Sequence, residues 1–221
     1  MPRIRKLAGL SVLLLLAVIS ADASTLTGRV RIIGRKSGAA AVQIIVYAER
    51  LDGGSQVQPD EYRIVQRDKA FSPRVLAVPV GSTITFPNED PISHNVFSLT
   101  RPPFDLGLYR AGAAKSRVFG RTGTFWIFCN IHPQMAAAVL VVRTSHIAEA
   151  DAAGNFRLDL PGGRYLVTAW SERSRPFSAE ITVGAASETI DLMLDETKYI
   201  DVPHKNKFGS DYPRAAYENK D

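Results

Sequence analysis

Short runs in which apolar and polar residues alternate recur along most of the chain, with Gly, Pro, Asn and Asp between them. A period of two over four to eight residues is the mark of a strand with one buried face. The runs are Thr27–Ile33, Val42–Ala48, Val75–Val80, Thr83–Pro87, Asn95–Leu99, Ser116–Phe119, Thr124–Cys129 and Ala138–Arg143. A second set follows at Asn155–Leu160, Tyr165–Ser171, Ala179–Val183 and Thr189–Leu194. No stretch sustains the 3.6-residue spacing of an amphipathic helix. The pattern therefore predicts a mainly β protein built as sandwiches, not a parallel sheet with crossover helices. Glu49–Lys69 breaks the alternation and is expected to hold one short helix or an irregular excursion.

The start of the chain follows a different pattern. Arg3, Arg5 and Lys6 precede a near-continuous apolar run from Leu7 to Ser20, and Ala21-Asp22-Ala23 has the small-x-small form of a cleavage site. Residues 1–23 thus read as a secretory signal peptide. The rival is an uncleaved anchor, but the run is shorter than the ~20 residues a membrane span needs. No later segment is apolar enough to span a membrane. The implied compartment is the periplasm. Removing Arg3, Arg5, Lys6 and Asp22 lowers the formal charge from +5 to +3, too mild a value to point to nucleic acid.

The remaining chain divides near Arg143–Ser145. Residues 24–143 are expected to form one sandwich and 144–196 a smaller one, both compatible with folding units. Residues 197–221 form a polar tail whose Tyr199, Phe208, Tyr212 and Tyr217 have the means to pack on the body. Asp151–Asn155 and Pro161-Gly162-Gly163 read as turns of the second unit. Gly28–Glu49 has a similar flavour to that unit, yet also suits the first strands of the first one.

Cysteine usage changes the picture. Exported proteins usually pair their cysteines, and Cys129 is the single Cys of 221 residues. It is buried and inert, joined to another chain, or held by a metal. Its surroundings, Thr124-Phe-Trp-Ile-Phe-Cys129-Asn-Ile-His132-Pro-Gln-Met135, place a thiol, an imidazole and a thioether on one short loop. Upstream, Asn88-Glu-Asp-Pro-Ile-Ser-His94-Asn95 supplies a second imidazole at the start of a strand. Two imidazoles, a thiolate and a weak thioether form the ligand set of a mononuclear blue-copper site. Zinc accepts Cys and His but has little use for a thioether. His146 and His204 belong to no metal-ligand spacing and read as surface residues. Met135 has the alternative of being a core residue beside a three-ligand site.

These residues resemble the cupredoxins, in particular those of amicyanin and plastocyanin type. The similarity runs from about Phe71 to Arg143. It includes the Cys129-x2-His132-x2-Met135 spacing, the approach Val80-Gly-Ser-Thr-Ile-Thr-Phe-Pro-Asn-Glu-Asp90, and Ser93-His94-Asn95-Val96. Over its length the chain also resembles exported cupredoxin-domain proteins called methylamine-utilisation proteins, and its last unit resembles the carboxypeptidase regulatory-like, transthyretin-like sandwich. The resemblance implies a Greek-key sandwich with one copper ion held by His94, Cys129, His132 and an axial Met135. Asn95 would tie the two ligand loops together. Ile131, Pro133, Pro91 and Ile92 would form an apolar rim around the outer His.

The function so implied is single-electron transfer, without enzyme activity, with a c-type cytochrome, a dehydrogenase or an oxidase as partner. The rival is copper binding or delivery without redox turnover, whose usual Met- or His-rich tracts are absent from the sequence. A third reading is an adhesion or assembly module, against which the intact ligand set argues. Trp126 and Phe128 are most simply face residues of a strand. Arg110, Lys115, Arg117 and Arg121 are a solvated face or, alternatively, steer an acidic partner.

Overall fold

A computed structural model describes residues 23–53 and 57–213. The signal sequence expected over residues 1–23 lies outside these, apart from Ala23. Among the described residues there is no helix, and every regular element is a strand. In chain order these are β1 (Ala23–Ile33), β2 (Ile45–Arg50), β3 (Glu61–Arg63), β4 (Val65–Arg67), β5 (Ala70–Ser72), β6 (Val75–Pro79), β7 (Thr83–Pro87), β8 (His94–Ser98) and β9 (Phe104–Tyr109). There follow β10 (Ala114–Val118), β11 (Gly123–Phe128), β12 (Ala136–Val142), β13 (Ile147–Glu149), β14 (Asn155–Pro161), β15 (Gly163–Trp170), β16 (Phe177–Val183) and β17 (Glu188–Asp195).

Two sandwiches result. One pairs the sheet β6-β12-β11-β8-β9 with β10-β7-β3 and carries the small hairpin β4-β5. Its core is built from Ile64, Val78, Ile84, Phe86, Val96, Phe119, Phe125, Ile127, Val139 and Val141, with Cys129 and Met135 at one end. The other packs β14-β1-β17 against β13-β2-β15-β16 around Leu26, Val46, Leu158, Leu160, Tyr165, Val167, Leu192 and Leu194. Strand β14 shows the reason plainly: Phe156, Leu158 and Leu160 point inward and Arg157 and Asp159 outward, as a period of two requires.

The expected boundary at residue 143 is corrected at the N-terminal side. Strands β1 and β2 do not belong to the first sandwich. Strand β1 lies between β14 and β17, antiparallel to the first and parallel to the second, and β2 lies between β13 and β15. The second sandwich is therefore assembled from both ends of the chain, and the first, from β3 to β12, is inserted between β2 and β13. Alternation of side chains tells a strand which face is buried, but not against which sheet. In Glu49–Lys69, expected to hold a short helix or an irregular excursion, the described residues form no helix: 51–53 and 57–60 are irregular, and the short strands β3 and β4 follow. Strands β5, β9 and β13 have no counterpart among the expected runs, two of them being three residues long.

The two units share an apolar seam. Strand β12 is a nearly continuous apolar run because both its faces are covered. Ala137, Val139 and Val141 enter the first core, while Ala138, Leu140 and Val142 meet Ile45, Val75 and Trp170 of the seam. Polar links flank it: the Val75 N–H donates to Gln43 Oε1 at 3.1 Å, and Arg74 pairs with Glu172 at 3.0 Å.

Gly28 marks how closely β1 is held. It faces Phe156 across the antiparallel pair, and a Cβ placed on it would come within 1.9 Å of the Ile190 carbonyl oxygen and 2.7 Å of the Phe156 ring. Backbone cannot yield as a flexible side-chain tip does. Gly28→Ala is expected to cost about 1–3 kcal/mol, the range for overpacked cores, measured by denaturant unfolding. A neutral result would mean that β1 is not seated in the second sandwich.

Candidate metal centre

Buried polar groups need partners, and the loop Asn88–Ser93 is organised around that requirement. Asn88 is wholly buried at the end of β7. Its Nδ2 donates to the Ile92 and Tyr109 carbonyls at 2.8 and 3.2 Å, and its Oδ1 accepts the Asp90 N–H at 3.1 Å. This turns the Asp90 carboxylate inward. Asp90 then accepts the N–H groups of Asp68 and Lys69 at 2.6 and 3.0 Å, and the Nε2–H of His94 at 2.5 Å. Asp68 and Lys69 both take positive φ, 53° and 52°, in the two-residue turn between β4 and β5. Such a turn matches the twist of the flanking strands and here aims two donors at one carboxylate.

With Nε2 held by Asp90, His94 presents Nδ1 to the interior. Cys129 follows the last residue of β11, and the loop after it closes tightly. The Cys129 N–H donates to the Met135 carbonyl at 3.2 Å and the Met135 N–H to the His132 carbonyl at 2.9 Å. The loop folds the His132 ring back toward the sulfur. His94 Nδ1 and His132 Nδ1 lie 3.1 Å apart, and each lies 3.9 Å from Cys129 Sγ. Among the described residues, His94, Cys129 and His132 form the group of three His, Cys or carboxylate side chains close enough to share one ion. His94 and Cys129 are completely buried, and His132 is half-buried.

Two imidazole nitrogens and one sulfur within 3.9 Å of one another are a donor set for a soft or borderline ion. Zinc accepts Cys and His, and copper is the ion suited by a His2Cys set with a thioether in the same buried group.

The electrostatics agree with a cation site. Burial alone would raise the Cys129 thiol, but His94 and the backbone N–H groups of Asn95, Ile131 and His132 outweigh it and hold the thiol below its ordinary value. Burial opposes a charge on His94 as well, yet Cys129 and Asp90 lift its imidazole above the usual range. His132 is pushed down by burial and then by His94. Surroundings that favour a thiolate and a proton on the neighbouring ring also favour a metal cation.

The remaining expected residues divide. Asn95 does link the loops: its Oδ1 accepts the Asn130 N–H at 3.2 Å. Met135 is wholly buried in the core group that includes Cys129. Of the expected rim, Pro91, Ile92 and Ile131 are exposed, but Pro133 is buried. It is covered because His204 of the C-terminal segment stacks on Phe128, with ring centroids 3.9 Å apart, and its Nε2–H donates to the Pro133 carbonyl at 2.6 Å. His204 is therefore part of the centre's outer wall, while His146 lies beside Tyr165 in the second sandwich. Trp126 turns to the seam between the units and Phe125 and Ile127 to the first core. Two of the basic residues before the ligand strand are engaged: Lys115 lies over the Tyr109 ring and Arg117 over the Phe104 ring. Sequence reasoning missed the anchoring role of Asp90. The signal was present, since a carboxylate four residues before a candidate metal-binding His is a usual second partner for that ring.

No family model matches the chain, and no curated protein matches it. Among solved structures it is similar, over part of its length, to a purple cupredoxin from Nitrosopumilus maritimus, 26% identical, covering 37% of this chain and 99% of that one at a TM-score of 0.35. A Cu(I) variant of amicyanin is 23% identical over 37% of this chain and 82% of its own, at a TM-score of 0.36. A copper-containing nitrite reductase from Thermus scotoductus SA-01 is 24% identical over 42% of this chain and 25% of its own, at a TM-score of 0.36. These similarities span less than half of the chain, and the chemistry of the centre rests on its donor set and its geometry.

Proposed function

We propose that this protein is an exported mononuclear blue-copper protein of cupredoxin type, carrying single electrons between redox partners in the periplasm. The donor set carries the reading: two imidazole nitrogens and the Cys129 sulfur, drawn from two separate loops, lie within 3.9 Å of one another in a buried pocket. His94, Cys129 and His132 would hold the ion, with Met135 as the weak axial ligand. Copper so bound supplies a couple between Cu(I) and Cu(II), and a site between trigonal and tetrahedral suits both states.

The chain's own part is to keep the donors still. Asp90 fixes the ring plane of His94, Asn95 fixes the Cys129 loop against the start of β8, and the backbone bonds between Cys129, His132 and Met135 close the loop. Groups of this kind orient ligands and tune the metal. His132 is the one of the three donors that reaches solvent, so its ring edge is the exit and entry for the electron. Exposed Ile92 and Ile131 flank the two ligand loops and give a partner an apolar surface to meet. A c-type cytochrome, a dehydrogenase or an oxidase is the kind of partner that this arrangement fits.

Addition of Cu(II) to the purified protein is expected to give an intense band near ~600 nm, the order of magnitude for a copper–thiolate site of this class. Cys129→Ser should abolish it, and a colourless copper-loaded wild type would sink the reading. Met135→Leu should keep the colour and raise the reduction potential; a variant unchanged in both spectrum and potential would show that Met135 is only a core residue. Asp90→Asn is expected to lower copper affinity by about 10–100-fold, measured by competition with a chelator, while an unchanged affinity would remove Asp90 from the centre. Rapid mixing with a c-type cytochrome separates electron carriage from copper delivery, because a delivery protein would hold Cu(I) without exchanging electrons.

A further inference from the structure

The C-terminal segment returns to the first sandwich and lies against the ligand loop. Besides the His204 contacts, the Tyr212 hydroxyl donates to the Cys129 carbonyl at 3.4 Å. One residue of the segment uses both its backbone and its side chain. The Lys207 N–H donates to Asn130 Oδ1 at 3.0 Å, and Lys207 Nζ donates to Asp105 Oδ2 at 2.8 Å.

Those two bonds complete a circuit. Asp105 Oδ1 accepts from Asn95 Nδ2 at 2.6 Å, and Asn95 Oδ1 accepts the Asn130 N–H at 3.2 Å. Asn130 returns to Lys207. The ring of hydrogen bonds therefore passes through Asn95, next to His94, and Asn130, next to Cys129, and is closed by strand β9 and the C-terminal segment. Its polarity is set by charge. An amide can turn end for end, and a turned Asn95 would set its NH2 against the Asn130 N–H, donor against donor. The Asp105 carboxylate prevents this by accepting from Nδ2. Burial pushes Asp105 up, but Lys207, the Gly107 N–H and Asn95 outweigh it and hold its carboxyl below the usual range.

We propose that Lys207 is a positioning residue of the metal centre, and that the segment carrying it is a built part of that centre, bracing one ligand loop against the other. The inference rests on the copper reading for its functional meaning, while the hydrogen bonds of the brace run between groups of the chain alone. A surface ion pair alone would be worth little: the Lys207 and Asp105 side chains are about a third exposed, and such pairs contribute weakly. The circuit makes this pair different, because losing it leaves only the Gly107 N–H and Asn95 itself to hold the Asp105 carboxylate in place, which loosens the Asn95 amide and the tie between the loops.

The test compares Lys207→Met with Lys205→Met. Lys205 pairs with Asp211 at 2.9 Å on the same segment but lies outside the circuit. In metal-free protein, Lys207→Met is expected to speed hydrogen exchange of the Asn130 amide by about twofold to fivefold, the factor an ion pair of this exposure converts to. In copper-loaded protein it should speed copper loss to a chelator by a similar factor and shift the reduction potential. Lys207→Arg should restore all three, and Lys205→Met should move none. Asp105→Asn should reproduce the effect, and combining it with Lys207→Met should add little. Equal behaviour of the Lys207 and Lys205 variants in Asn130 exchange and copper loss would overturn the proposal. A wild type without a copper–thiolate band, alongside faster Asn130 exchange in Lys207→Met, would refute the copper reading and leave the brace standing.

Discussion

The centre depends on one hydrogen bond, from His94 Nε2 to the Asp90 carboxylate. A buried imidazole has two nitrogens that must both be satisfied, and the one left over decides what the ring can do. Asp90 takes Nε2, so Nδ1 faces Cys129 and His132. Asp90 is itself held by the turn between β4 and β5 and by the Asn88 loop. The excursion before β5, which carries no alternating pattern, thus serves the site by delivering two backbone donors to a carboxylate. Asn88, Asp90, Asn95 and Asn130 each have partners that fix their orientation.

The same economy of partners explains the architecture. The first sandwich contains the donors, yet it is not closed by its own residues alone. Strand β12 exposes a second apolar face that the other sandwich covers, and Pro133 and Phe128 are covered by the C-terminal segment. The outer sandwich, gathered from both ends of the chain, brackets the metal-binding unit. Strand β17, the last among the described residues, lies beside β1, and the segment that follows it returns to the ligand loop. A change in the second sandwich therefore has a physical route to the centre, through β12 on one side and through Lys207, His204 and Tyr212 on the other.

Much of this was legible in the residues. The alternating runs gave the β class, and most strands fall where the alternation places them. The spacing of Cys129, His132 and Met135, with His94-Asn95 upstream, brought out three donors that the fold does gather. Local pattern was enough here because the ligand loop is short: seven residues from Cys129 to Met135 cannot separate their side chains widely. Other features were hidden. The sandwich to which β1 and β2 belong depends on pairing across more than a hundred residues, and the β4-β5 turn carries no glycine to announce its positive φ values.

The residues by themselves determined which chemistry was possible: one thiol, few imidazoles, and a loop that holds two donors and a thioether in reach of each other. Tertiary structure decided which nitrogen of each ring faces the sulfur, how wide the donor triangle opens, and that a lysine seventy-eight positions beyond Cys129 closes the hydrogen-bond circuit around it. The physical reason is range. Donor identity and short spacing are properties of neighbouring residues, whereas ring orientation, burial and charge pairing are set by whatever distant chain the fold packs against them.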